Sequence, residues 1–496
     1  MLFNSFIFIL AFLPITIIGY FGLNRLKKPE AAKVFLIGMS LWFYGYFRPS
    51  YLIILVLSIL VNYGFYLLFT KKNVQGGGRK ALMIIGVVLN LGTLGYFKYL
   101  EYLLSSFNVL TGAELPVPEI LLPLGISFFT FQQVGFVIDA YKGQTGNYRI
   151  HDYALFVSFF PQLVAGPIVT HDELIPQFND SMKKRLRAES FTAGITFFVL
   201  GLSKKILIAD VFAKAVDYAW QTTELLSPID TAIAMFAYYV QIYFDFSGYS
   251  DMAIGLGKML NFDIPTNFDS PYKALTIRDY WKRWHITLTR FLTKYLYIPL
   301  GGSRKGKFRT YLNTLIVFIV SGIWHGAGGG YVVWGLSGGI GIVICRMLEK
   351  PIEKMKKSKL ISALMWIFNT IYLCIFWTFF RGETIGKSIT FLKHLIPSEG
   401  HANFALTKSY LLQVFRTAEF DYALKIFHVY SEDARALILT VCYILLALII
   451  IVLMPNCKKI VSDFKPKAYK AVLLAVLFIW CFVCLSGVST YIYYNF

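Results

Sequence analysis

The chain has 496 residues, 56% of them hydrophobic and 17% aromatic, with a mean hydropathy of +0.58. A soluble globule this apolar could not cover its surface with polar groups, so composition excludes a soluble protein and points to one large membrane domain over 1–496. The formal charge of +20 would suggest nucleic acid in a soluble chain. Here the basic residues sit in short clusters between apolar runs, so the positive-inside bias accounts for them and no nucleic-acid role is expected.

Apolar runs of bilayer length recur along the chain, near 2–23, 34–47, 50–69, 81–97, 120–138, 153–169, 191–213, 229–260, 311–325, 331–347, 361–380, 436–454 and 469–488. The first has no basic start and no small-residue cleavage site, so it is expected to persist as a membrane helix. The runs at 120–138 and 153–169 carry Pro123, Pro161, Gly166 and Pro167. Breakers at membrane depth predict half-helices or re-entrant segments lining a cavity. Basic clusters follow the first and third runs, precede those at 191, 311 and 361, and flank the last. If all are cytoplasmic, both termini lie outside, about eleven helices span, and 381–435 is an extracytoplasmic loop.

The six cysteines read as buried small side chains. Cys481 and Cys484 form a C-x-x-C with no second pair, and the seven histidines show no metal-ligand spacing, so no metal is expected.

Chemistry concentrates between Tyr243 and Trp334. This stretch runs through YFDFSGYSDMAIG, RDYWKRWHITLTRFL and YIPLGGSRKG to SGIWHGAGGGYVVWG. His325 lies in an apolar context, where a histidine is costly unless it is paired or lines a wet cavity. A neutral imidazole could serve as a general base; a core histidine bonded to a neighbouring helix is the alternative. His285 sits in an amphipathic segment. Lys282 and Arg283 there either snorkel at the interface or contact donor phosphates. Asp245 and Asp251 share an otherwise apolar helix. They lie on different faces, about 240° apart, so a paired-carboxylate site is not expected; partnership with Lys204 or Lys205 competes with catalysis. No nucleophile elbow, Walker loop, zinc-protease motif or dinucleotide fingerprint is present.

The stretch from Leu122 to Gly335 resembles the membrane-bound O-acyltransferase family, and within it the bacterial branch typified by the alginate O-acetylation membrane subunit. The resemblance is carried by LPLGISFFTFQQVGFVIDAY, FFPQLVAGPI, YFDFSGYSDMAIGLGKMLNFDIPTNFDSPY, DYWKRWHITLTRFL, YIPLGGSRKG and SGIWHGA, and extends to FNSFIFILAFLPI and STYIYYNF at the ends. It implies an all-α polytopic fold around a tunnel, with 122–335 as the catalytic core. It also implies an O-acetyltransferase in a bacterial cytoplasmic membrane, holding no bound cofactor and using acetyl-CoA as donor substrate. The family's nearly invariant histidine maps onto His325 and its second, more variable position onto His285. The donor headgroup is then expected near Lys282, Arg283, Arg304 and Lys305, with Trp324, Ser321, Tyr243, Asp245 and Asp251 as tunnel-lining candidates. Trp324, His285 and Ser321 are candidates for stabilising the oxyanion. Besides membrane lipid, the implied partners are a separate extracytoplasmic acetyltransferase and a polysaccharide or cell-wall glycan. The competing readings are D-alanyl transfer toward teichoic acid from a carrier-protein thioester, a proton-relaying transporter, and an export-complex scaffold.

Overall fold

The computed structural model describes every residue except 71–75, 398–409, 465–466, 488–490 and 493–496. The described residues are helical, with no strand among them. Six helices are long and apolar enough to cross a bilayer: Phe8–Arg25, Ser50–Thr70, Gly77–Thr111, Gly329–Met347, Lys359–Gly382 and Glu432–Val452. Others lie in the remaining apolar runs but are shorter or carry more polar groups, among them Pro29–Gly45, Ala188–Ser203, Pro228–Met259, Gly306–His325 and Ala468–Val483. Their polar residues are largely interior. Lys33, Thr196, Asp245, Asn313 and His325 are all buried, which lowers hydropathy without exposing charge to lipid. The chain is an all-α, multi-pass membrane protein.

The described helices form two compact units. The first comprises Met1–Leu202, Tyr249–Asn267 and Phe464–Phe496; the second comprises Ser203–Gly248 and Phe268–Asp463.

In the first unit both runs that carry the predicted breakers are interrupted. Gly125 takes a left-handed conformation (φ +72°) where the helix Ile126–Tyr141 begins. A side chain there would meet the backbone of Leu163 and Val164. The run at 153–169 is cut into the short helices Ile150–Ser158 and Phe160–Leu163, split at Phe159 before Pro161. Buried amides tie the helices together: Asn62 bonds both Asn90 and Gln133, and Gln133 donates to Ser58. Such side-chain bonds hold helices where lipid gives no hydrophobic drive. Lys33 donates to Asp152 at 2.8 Å and to Asn179 at 2.7 Å, so a buried cation is met by a carboxylate and an amide. At the end of the long helix Pro228–Met259, Asp263 bridges Lys183 and Lys258, each at 2.5 Å.

The second unit is built around a helical hairpin. Gly306–His325 and Gly329–Met347 are joined by a short glycine turn, and Lys359–Gly382 packs beside the second arm. The hairpin arms touch through their backbones. A side chain at Gly322 would strike the carbonyl of Tyr331, and one at Gly335 the carbonyl of Phe318. The described part of the segment 381–435 forms the helices Ile385–Lys393, Tyr410–Gln413 and Ala418–Ile426.

Candidate active site

His325 is the last residue of its helix, and Gly326 continues as extended backbone. The ring is 3% exposed. Its Nδ1 lies 2.6 Å from the Ser321 carbonyl oxygen one turn earlier. A carbonyl only accepts, so Nδ1 carries the proton and the Nε2 of the neutral ring keeps its lone pair. That tautomer is the one a general base requires. Trp324, Trp334 and Phe380 wall the imidazole edge-on, at ring distances of 4.7, 4.8 and 5.4 Å.

His285 enters from a different element. It separates the short helices Ile277–Arg283 and Ile286–Leu292 and takes a left-handed conformation, φ +45° and ψ +52°. A non-glycine residue held there costs about 1–3 kcal/mol, and the surroundings that hold it are aromatic. Phe246 meets the ring edge-on at 4.8 Å, and the adjacent Trp284 packs against Phe268, Tyr280 and Trp377. His285 lies within electrostatic reach of His325. Two buried histidines, forty residues apart in sequence, thus converge on one site.

A cavity of about 290 Å³ reaches His285. On one side it is lined by Arg278, Trp281, Lys282, His285, Leu288 and Leu292. The His325 helix contributes Thr314, Val317, Phe318 and Ser321, and the Trp334 helix contributes Ile342 and Arg346. Thr314, Val317, Phe318, Ser321 and His325 share one helical face. Measured along the helix, Thr314 to His325 is about 16 Å at 1.5 Å per residue. The cavity therefore has a cationic end at Arg278, Lys282 and Arg346, an apolar middle, and an end at His285 and Ser321, one turn short of His325. Among the described residues, no group of three or more His, Cys, Asp or Glu could hold a metal ion.

The sequence-derived candidates divide on this geometry. His285, Ser321 and Lys282 line the cavity, and Trp324 packs on His325. Arg283 does not line it; its guanidinium is engaged by Asp279 at 3.0 Å and by the Asp269 carbonyl. Arg304 and Lys305 are exposed in the turn before the His325 helix and are not lining residues either. Tyr243 packs against Tyr272 and Phe268. Asp245 is held by Lys205 at 2.7 Å, and Lys205 also reaches Asp210 at 2.9 Å. Asp251 belongs to the first unit. Arg278 and Arg346 line the cavity but were not singled out from the sequence. A signal for Arg278 existed: Arg278, Trp281, Lys282 and His285 follow i, i+3, i+4, i+7 spacing, whereas Arg283 falls off that face. Nothing in the sequence brings Arg346, on another helix, to the same place.

A cavity that runs from three cations to a buried histidine, with a second buried histidine one turn beyond, lies inside a helical membrane protein. The model of MBOAT, the membrane-bound O-acyltransferase family, matches residues 119–381, and the chain belongs to that family. It is 39% identical to the peptidoglycan O-acetyltransferase of Helicobacter pylori over 82% of this chain and 82% of that protein. It is 36% identical to the probable alginate O-acetylase AlgI of Pseudomonas aeruginosa over 78% of this chain and 73% of that protein. A teichoic acid D-alanyltransferase of Streptococcus thermophilus is 26% identical over 45% of this chain and 56% of its own length. The chain is an acyltransferase of the O-acetylating kind.

Proposed function

We propose that this protein takes an acetyl group from cytosolic acetyl-CoA and passes it across the bacterial cytoplasmic membrane to a hydroxyl on the outer side. The observation that carries this reading is the cavity, which grades from three cations to His285 and Ser321, one turn of helix short of His325. Arg278, Lys282 and Arg346 suit the donor's phosphates, since guanidinium and ammonium groups are natural phosphate partners. The apolar middle suits the slender pantetheine arm, and the inner end brings the thioester to His325. The mouth lies at the end of the hairpin flanked by the basic segments 304–309 and 350–359, which supports a cytoplasmic opening.

In the proposed step, Nε2 of His325 takes the proton of the acceptor hydroxyl as its oxygen attacks the thioester carbonyl carbon. The tetrahedral intermediate collapses, the carbon–sulfur bond breaks, and the departing thiolate is protonated by the imidazolium. His285, held rigidly beside the same end of the cavity, polarises or orients the carbonyl. No covalent acetyl-enzyme is invoked. The acetyl group goes on, through a separate extracytoplasmic acetyltransferase, to a cell-wall glycan or exopolysaccharide. The relatives that align over most of the chain are named for peptidoglycan and alginate acetylation, which supports acetyl over D-alanyl transfer.

His325→Ala tests the reading. Acetyl transfer from acetyl-CoA should fall about 10²–10⁴-fold, while the detergent-solubilised protein keeps its donor binding and most of its thermal stability. His285→Ala should lose less. A well-folded His325→Ala protein with near-normal transfer would refute the catalytic assignment.

A further inference from the structure

We infer that Glu349 is a built-in counter-anion of the donor site: its carboxylate stands at Arg278 in the place a donor phosphate takes, and so sets how tightly the donor is held. This inference rests on the reading of the cavity as the donor site and adds a residue to it.

Arg278 Nη1 lies 2.6 Å from Glu349 Oε1. Arg278 holds that carboxylate below the usual range, with smaller electrostatic help from Lys282 and Arg346. The cluster keeps unused donor capacity as well. Arg346 gives one bond to the Tyr297 hydroxyl at 3.4 Å, while its buried Nε has no acceptor among the described residues. A buried guanidinium N–H left in that state indicates a position that a ligand can fill.

The contact is built to be exchanged. The Glu349 side chain is 58% exposed and that of Arg278 34%. Solvent-exposed ion pairs of this kind contribute little net stability. Glu349 takes a single N–H of Arg278, and a phosphate, with more charge and room for two guanidinium N–H groups, outcompetes that one bond. Glu349 opens the short helix Glu349–Met355 directly after the Trp334 helix, and its side chain can swing into solvent without moving the backbone. With Glu349 in place the empty mouth is partly neutralised and Arg278 is held ready. When product leaves, the carboxylate returns and opposes its rebinding. The other acid of this helix, Glu353, pairs with Lys356 at 2.8 Å and has no part in the cluster.

The test compares Glu349→Gln, Glu353→Gln and Arg278→Gln in the full-length solubilised protein. The probe is adenosine 3′,5′-bisphosphate, a phosphate-bearing fragment of the donor, with the KM for acetyl-CoA measured alongside. Glu349→Gln should bind the probe about three- to tenfold more tightly, the gain from removing one nearby like charge in a high-dielectric setting, with a matching fall in KM. Added salt should narrow the difference. Glu353→Gln should match the wild type and Arg278→Gln should bind more weakly. Unchanged or weaker binding in Glu349→Gln, together with a loss in Arg278→Gln, would overturn the counter-anion role and leave the donor site standing. Unchanged binding in both Arg278→Gln and Glu349→Gln would instead remove the donor site itself.

Discussion

At the scale of single residues, the charged side chains inside this protein sort by what they touch. Lys205 is 1% exposed and is held by two carboxylates, so it serves as a clamp between segments. Asp421 plays the complementary part in the segment 381–435, between Arg416 at 2.7 Å and the buried Arg435 at 2.8 Å. The hydrogen bond from Arg416, opposed by burial and aided by Arg435, holds the Asp421 carboxyl well below the usual carboxylate range. A depressed carboxylate contributes stability that is present above its unfolded value, about 4, and is lost as pH falls through the lower folded value. Asp421→Asn removes the carboxylate that Arg416 and Arg435 share, while Arg435 keeps the Val429 and Tyr430 carbonyls, so the loss is that of charge-assisted hydrogen bonds, about 1.5–3 kcal/mol. Thermal unfolding should therefore fall sharply near pH 6, and the gap from wild type should narrow below about pH 4. A gap that stays constant across that range would assign the loss to packing rather than charge. His325 is a different case, because its Nδ1 is committed to the Ser321 carbonyl one turn below it. The sequence pointed to His325 through its apolar setting, but it could not say which nitrogen was committed; that depends on the turn of helix beneath it.

At the scale of elements, the hairpin Gly306–His325 and Gly329–Met347 does most to place the site. The glycines of SGIWHGAGGGYVVWG look in sequence like a helix stop that lets substrate approach. In the structure, Gly322 and Gly335 let two backbones meet, Gly326 makes room for the Tyr331 ring, and Gly330 packs against Phe379 and Glu383. This close approach sets Trp334 against His325 and brings Arg346 to the cavity. Gly335→Ala should force the arms apart at the Phe318 carbonyl, costing about 1–3 kcal/mol and reducing acetyl transfer by more than the stability loss explains. An alanine variant with wild-type thermal stability and activity would show that the arms do not need to touch. The element Ile277–Leu292 was read from sequence as one amphipathic segment. It is two short helices broken at His285, and that break turns the imidazole into the interior.

At the scale of the whole molecule, the basic clusters propose an orientation with both termini outside. Part of the third-run cluster, Lys71 and Lys72, and most of the tail after 488 lie outside the described residues. The orientation can be tested with membrane-impermeant maleimide, in a background lacking the six native cysteines. Gly76→Cys should resist labelling from the outer side, and Phe427→Cys, 76% exposed in the segment 381–435, should accept it. The reverse pattern would invert the topology and put the donor cavity on the wrong face for acetyl-CoA.

By itself the sequence determined the class of protein, because lipid imposes long apolar helices and confines Lys and Arg to their ends, and both constraints are written locally along the chain. It also raised His325 as a candidate through its apolar setting, against the alternative of a core histidine, whereas the resemblance to the acyltransferase family is what favours His285. Tertiary structure alone decided which cations share a wall. Arg278 and Lys282, one turn apart on the helix Ile277–Arg283, meet Arg346 from another helix there, while Arg283 turns to Asp279 and Arg304 stays in an exposed turn. It also decided that Asp245 is a partner of Lys205. The reason is geometric. Hydropathy and helical periodicity act over neighbouring residues, whereas a binding site is a coincidence in space of side chains tens of residues apart, fixed only when glycine-mediated contacts set how helices pack.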